Sequence, residues 1–149
     1  MYFDGTGVLK DAKEAVNWYR KAAEQGHAIA QWQLGFIYAN SEGVLKDAKE
    51  AVNWHRKAAE QGIASAQFNL GAMYANGQGV PKDMVNAYAW LNMAVANCDS
   101  NVAEDHSAMI PNTDLVKARD LVAKEMTPEQ IAETRKLLMV WFEKFQPKN

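Results

Sequence analysis

The side chains able to do chemistry in this 149-residue chain are few: three histidines, one cysteine, and carboxylates spread along its length. His27, His55 and His106 have no second histidine four residues on, and Cys98 stands alone, so no donor set reaches the spacing of a zinc site. Cys98 also lacks a histidine partner that would make it a nucleophile, and a single thiol forms no internal disulfide. The acidic residues follow a pattern that needs no catalysis. Glu14 and Glu50 stand three residues after Asp11 and Asp47, the spacing of a helix capping box. Glu24 and Glu60 stand three residues after Lys21 and Lys57, where a solvated charge pair suffices. No two carboxylates separate as a general acid and a general base. The GTGV and GQGV segments have the glycines of a phosphate loop, but no Gly-Lys-Ser/Thr follows them and they join helix to helix. No SxxK is present. The sequence therefore reads as non-enzymatic, with no cofactor and no metal, and His55 reads as a packing or surface variant.

Bulk properties narrow the class further. The net charge is -2, which does not suit a nucleic-acid surface. No apolar run approaches the roughly 18 residues of a membrane span. The opening MYFDGTGVLKD lacks the basic start and apolar stretch of a signal peptide. As given, the chain reads as cytoplasmic, or as periplasmic if a leader was removed.

The elements that position these residues come from a repeat. Residues 7–26 read GVLKDAKEAVNWYRKAAEQG, and residues 43–62 read GVLKDAKEAVNWHRKAAEQG. They differ only at Tyr19 and His55, and the offset is 36. The offset continues over 79–98, where Gly79, Val80, Lys82, Asp83, Ala87, Trp90 and Ala94 keep their places. A second unit repeats as AIAQWQLGFIYAN (28–40) and ASAQFNLGAMYAN (64–76). Met1 and Tyr2 fall on Met73 and Tyr74, so the chain is expected to begin inside a repeat. Apolar residues of both units recur at helical spacing, which gives an all-α chain of helix pairs. Asp11, Asp47 and Asp83 are expected N-caps, Gly26 and Gly62 expected C-terminal stops, and NGQGVPKD and NSEGVLKD expected turns.

These residues carry a resemblance. Ala66-Gln67-x-x-Leu70-Gly71-x-x-Tyr74-x-x-Gly77-x-Gly79-Val80-x-Lys82-Asp83, with Ala51-x-x-Trp54-x-x-Lys57-Ala58-Ala59-x-x-Gly62, resembles the Sel-1-like repeats, relatives of the tetratricopeptide repeats. The resemblance covers roughly residues 1–98 and implies a bacterial adaptor protein. It implies a right-handed α/α superhelix, a solenoid of antiparallel helix pairs. Leu34, Gly35, Tyr38, Trp54, Leu70, Gly71, Tyr74 and Trp90 are then structural repeat positions, and Trp18 shares the packing role of Trp54 and Trp90. The expected organisation is repeats over 1–109: a partial repeat at 1–26, repeats at 27–62 and 63–98, and a degenerate start at 99–109. A helical cap follows over 110–149, with a helix at about 114–125 and another from Thr127. Trp141, Phe142 and Phe145 are expected to lie against the last repeat.

The same resemblance makes the AQxxLGxxY helix the lining of the concave face. Its inward positions are Ile29, Trp32, Gln33, Phe36, Ala39 and Asn40, then Ser65, Phe68, Asn69, Ala72, Ala75 and Asn76. A protein or peptide partner would meet aromatic anchors at Trp32, Phe36 and Phe68, with Gln33, Asn40, Asn69 and Asn76 as amide contacts beside Ala72. Trp32 and Phe68 read equally well as filler between neighbouring helices. A second reading is a homo-oligomer through an uncapped N-terminal end, or a structural piece of a longer solenoid. A third is a cell-wall-related hydrolase, for which the sequence supplies no catalytic set.

Overall fold

A computed structural model describes residues 5–40, 47–98 and 112–145, with side chains from residue 13 onward. The degenerate repeat start expected at 99–109, with His106, the residues Met1 and Tyr2, and the turn at 41–46 lie outside the described residues. Seven helices and no strand make up the described chain: α1 (Gly5–Glu24), α2 (Ala28–Asn40), α3 (Ala48–Glu60), α4 (Ala64–Asn76), α5 (Met84–Asn97), α6 (Asn112–Lys124) and α7 (Pro128–Lys144). From α1 to α5 each helix packs on the next, while α6 and α7 both pack on α5. Short connections between successive helices make the neighbours antiparallel.

Local chemistry explains most helix ends. Asp47 accepts a hydrogen bond from the Glu50 N–H at 3.1 Å, and Asp83 does the same for Asn86 at 3.1 Å. The N–H groups of the two caps donate backward, Asp47 to the Tyr38 carbonyl at 2.9 Å and Asp83 to the Tyr74 carbonyl at 3.0 Å. This corrects the expected capping box at Asp47. With its N–H already used, Glu50 turns away and accepts from the Trp54 indole N–H at 3.1 Å. The reciprocal box is present at Thr127 and Gln130 instead. Gly26 and Gly62 hold φ at 90° and 92°, the left-handed region that ends a helix. A second correction concerns Asp11. Residues 5–10 are helical and α1 runs through Asp11, so no turn and no N-cap stand there. The equivalent GVPKD is a turn because α4 must reverse into α5. Among the described residues no helix precedes α1 to force such a reversal.

The core is built from the repeated positions. Leu34 and Leu70 are fully enclosed, each worth roughly 1.5–3 kcal/mol relative to exposure. Trp54 packs with Val16, Ala23, Ala30 and Leu34, contributed by α1 and α2. Trp90 packs into the cluster of Ala51, Ala58, Leu70 and Met73, and is covered by Trp141 at 4.4 Å and Phe145 at 5.9 Å between ring centroids. Trp18 departs from this: it is 72% exposed, because the helix pair that would cover it is not present among the described residues. Phe142, one turn after Leu138 on α7, is 38% exposed. The expected Lys–Glu pairs also give way. Lys21 and Lys57 lie over the rings of Trp18 and Trp54, at 5.4 and 4.5 Å from the centroids.

Polar groups repeat with the same offset. Gln31 donates to the Ala23 carbonyl and Gln67 to the Ala59 carbonyl, both at 3.0 Å. The Gln31 side-chain oxygen accepts from Gln61 at 2.8 Å, and that of Gln67 accepts from Asn97 at 3.1 Å. Each conserved-in-place glutamine thus ties its own helix to the preceding helix and to the one that ends the repeat. Arg20 donates to the Tyr38 hydroxyl, and Arg56 to the Tyr74 hydroxyl.

Candidate partner-binding cleft

A cleft of about 240 Å³ opens between α2 and α4, with α3 as its floor. Phe36, Ala39 and Asn40 come from α2, Ala48 and His55 from α3, Asn69, Ala72 and Met73 from α4, and Gln78 from the following turn. The helical period brings positions 36, 39 and 40 to one side of α2, and 69, 72 and 73 to the facing side of α4. Four of the residues expected to meet a partner, Phe36, Asn40, Asn69 and Ala72, therefore line one cavity. Phe36 is 49% exposed. Asn40 is steadied by donating to the Phe36 carbonyl at 2.9 Å.

The other expected contacts lie elsewhere. Trp32 is half-buried against the central cluster, and its ring centroid is 5.9 Å from that of Phe36. Its indole N–H is enclosed without a hydrogen-bond partner. Trp32 thus backs the cleft without lining it. Phe68 packs against Ala87, Leu91 and Val122, on the α5 and α6 side. Gln33 and Asn76 are outside the lining, and Ser65 is buried. The structural positions pack as the repeat requires: Leu34, Gly35, Trp54, Leu70, Gly71 and Trp90 are buried, with Tyr38 and Tyr74 half-buried against the core.

His55, expected as a packing or surface variant, is a packing residue. It is 1% exposed and its Nδ1 has no hydrogen-bond partner. The ring occupies the space that the missing Gly35 side chain leaves: an added Cβ there would stand 2.8 Å from Nδ1. The same relation recurs between Gly71 and Leu91, where the distance to Leu91 Cγ is 2.9 Å. Burial lowers the His55 pKa from 6.5 to about 4, so the imidazole is neutral at physiological pH. The signal in the sequence was the lone Tyr19-to-His55 difference between two otherwise identical segments. The Cys98 thiol donates to the Val95 carbonyl at 3.2 Å.

Comparison with known proteins agrees with this architecture. The family model described as Sel1 repeat matches residues 1–27, 28–63 and 64–97. The crystal structure of c5321, a protective antigen present in uropathogenic Escherichia coli strains and displaying an SLR fold, is similar with a TM-score of 0.75 and 36% identity. That match covers 91% of this chain and 26% of that one. A Sel1 repeat protein from Oxalobacter formigenes is similar with a TM-score of 0.51 and 41% identity, over 61% of this chain and 25% of that one. The matched part of this chain thus covers about a quarter of the length of either solved relative. Among curated proteins none matches it. No described helix is long and apolar enough to cross a membrane. Three matched repeats show that the chain belongs to the Sel1 repeat family, whose repeats generally mediate protein–protein interaction.

Proposed function

We propose that the chain is a non-enzymatic adaptor that holds a segment of a partner protein in the cleft between α2 and α4. The observation that carries this reading is the convergence of Phe36, Asn40, Asn69 and Ala72 on one cavity floored by His55. Phe36 offers aromatic contact area, and the two asparagines offer both donor and acceptor to a partner backbone. Helices α6 and α7 both pack on α5, and none of their residues lines the cleft.

Affinity capture tests the reading. Proteins retained by the native chain should be lost with Phe36→Ala and with Ala72→Arg, which fills the cavity, and should persist with Met139→Ala on the far, exposed side of α7. Helicity and thermal midpoint should hardly change. Equal capture by all four chains sinks the assignment.

A second reading, self-association through the outer face of α1, is supported by the exposure of Trp18. Light scattering decides it: a monomer at all concentrations rules this reading out.

A further inference from the structure

We infer that copies of this chain join head to tail, an exposed stripe of α7 on one copy covering the outer face of α1 on the next. This rests on self-association through the outer face of α1, and it names what that face meets. The repeat supplies the template. Glu14, Trp18 and Lys21 on α1 correspond to Glu50, Trp54 and Lys57 on α3. Trp54 is buried because Val16 and Ala23 of α1 pack with it, together with Ala30 and Leu34 of α2. Arg20, one turn after Val16, reaches Glu50 at 4.0 Å. The helix that covers this face therefore presents an apolar, a basic and an apolar residue at i, i+4 and i+7. On α1 the equivalent face is open, with Glu14, Trp18 and Lys21 all exposed.

Helix α7 carries the covering pattern toward solvent. Ala132, Lys136 and Met139 stand at i, i+4 and i+7, and all three are exposed, Met139 at 76%. The helical period puts them on one stripe, opposite the buried Thr134 and the Trp141 ring that packs on Trp90. Val140, exposed as well, widens the apolar part. The charges complement each other too. Lys136 and Glu143 are seven residues apart on α7, and Glu14 and Lys21 are seven apart on α1 with the signs reversed. All four are exposed. With the two helices parallel, Lys136 meets Glu14 and Glu143 meets Lys21, while Met139 and Val140 lie over Trp18. The reverse direction would set like charges together. A second α1 cannot supply the covering row, because Val16, Arg20 and Ala23 are already engaged with α3. Trp18 is the anchor of the contact, and the flanking charges set its direction more than its strength. The two surfaces differ, so each copy added leaves a free end and the contact propagates. None of these residues lines the cleft between α2 and α4, so capture there is untouched.

Sedimentation velocity on the full chain tests this. The native chain should grow past the dimer as its concentration rises. Trp18→Ala spoils only the α1 face and Met139→Arg only the α7 face, so each variant alone should stay monomeric. Both side chains are exposed, and unchanged helicity checks that both variants fold. Their equimolar mixture should form a dimer and nothing larger, joined by the intact α7 face of the first variant and the intact α1 face of the second. Adding Lys136→Glu to the Trp18→Ala chain should weaken that dimer about three- to tenfold, the effect of reversing one exposed ion pair. Adding Glu14→Lys to the Met139→Arg chain should then recover it. Growth that stops at the dimer, dimers of Met139→Arg alone, or a mixture that stays monomeric overturns the head-to-tail contact. Dimers of Met139→Arg that Trp18→Ala removes would leave pairing of two α1 faces standing. A native chain that is monomeric at every concentration sinks both.

Discussion

The imidazole of His55 rests on the backbone of Gly35, so close that a Cβ added at Gly35 would lie 2.8 Å from both Nδ1 and Cε1. Enclosure there lowers the His55 pKa from 6.5 to about 4. The unfolded chain therefore takes up this proton near pH 6.5, and the folded chain only near pH 4. Between those values the unfolded state holds more protons, so stability falls as the pH falls. Above about pH 6.5 this group contributes no pH dependence. The loss on going from about pH 7.5 to about pH 4.5 is roughly 2–3 kcal/mol, from a shift of this size. His55→Leu should remove that slope, and at about pH 7.5 it should be as stable as the native chain or up to about 2 kcal/mol more stable. Urea denaturation of both chains at the two pH values checks it; parallel losses on acidification would refute the assignment.

Gly35 is needed for space. Gly35→Ala drives a methyl group into the His55 ring and should cost about 1–3 kcal/mol, the usual range for overpacking. The cost should shrink in a His55→Ala background, where the ring is gone. A double-mutant cycle measured by urea denaturation should then show clear non-additivity. Additive effects would mean that the glycine is required for some reason other than this contact.

What the sequence made legible was whatever is decided within a few residues along the chain. Asp47 and Asp83 cap helices because their side chains reach the N–H three residues on. Gly26 and Gly62 stop helices because of their own φ. The offset of 36 then repeats these local decisions and gives the solenoid. What was not legible depends on a neighbour across the fold. Trp18 and Trp54 stand in segments that differ only at Tyr19 and His55, yet one is 72% exposed and the other 5%, because among the described residues only Trp54 has a helix pair in front of it. Glu50 looked like half of a capping box, but the Asp47 N–H is taken by the Tyr38 carbonyl, a partner on another helix. Phe68 looked equivalent to Trp32, but α5 and α6 stand against it. Within the cleft, Phe36, Asn40, Asn69 and Ala72 followed from the helical period of a helix that the family resemblance put on the concave face. His55 did not, since its burial comes from a glycine 20 positions away on α2.

The amide ties between helices should be measurable one at a time. Gln67 is fully buried, donates to the Ala59 carbonyl and accepts from Asn97. A cycle of Gln67→Ala and Asn97→Ala should give a coupling of about 1 kcal/mol. The equivalent cycle at Gln31 and Gln61 should give less, because Gln61 is exposed and water can replace it. Equal couplings would mean that burial does not set the strength of the tie.

Trp54 and Trp18 provide the sharpest contrast in stability. Trp54 fills the space between α1, α2 and α3, donates its indole N–H to Glu50, and is covered by Val16, Ala23, Ala30 and Leu34. Trp54→Ala empties that space and should cost about 3–5 kcal/mol. Trp18 is 72% exposed, so Trp18→Ala should change monomer stability by no more than about 0.5 kcal/mol. The two variants also separate folding from association. If copies pair through the outer face of α1, the thermal midpoint of the native chain rises with protein concentration, as mass action requires, and Trp18→Ala removes that rise. If the midpoint is independent of concentration in both chains, Trp18 is simply an exposed aromatic and the face of α1 plays no part in self-association.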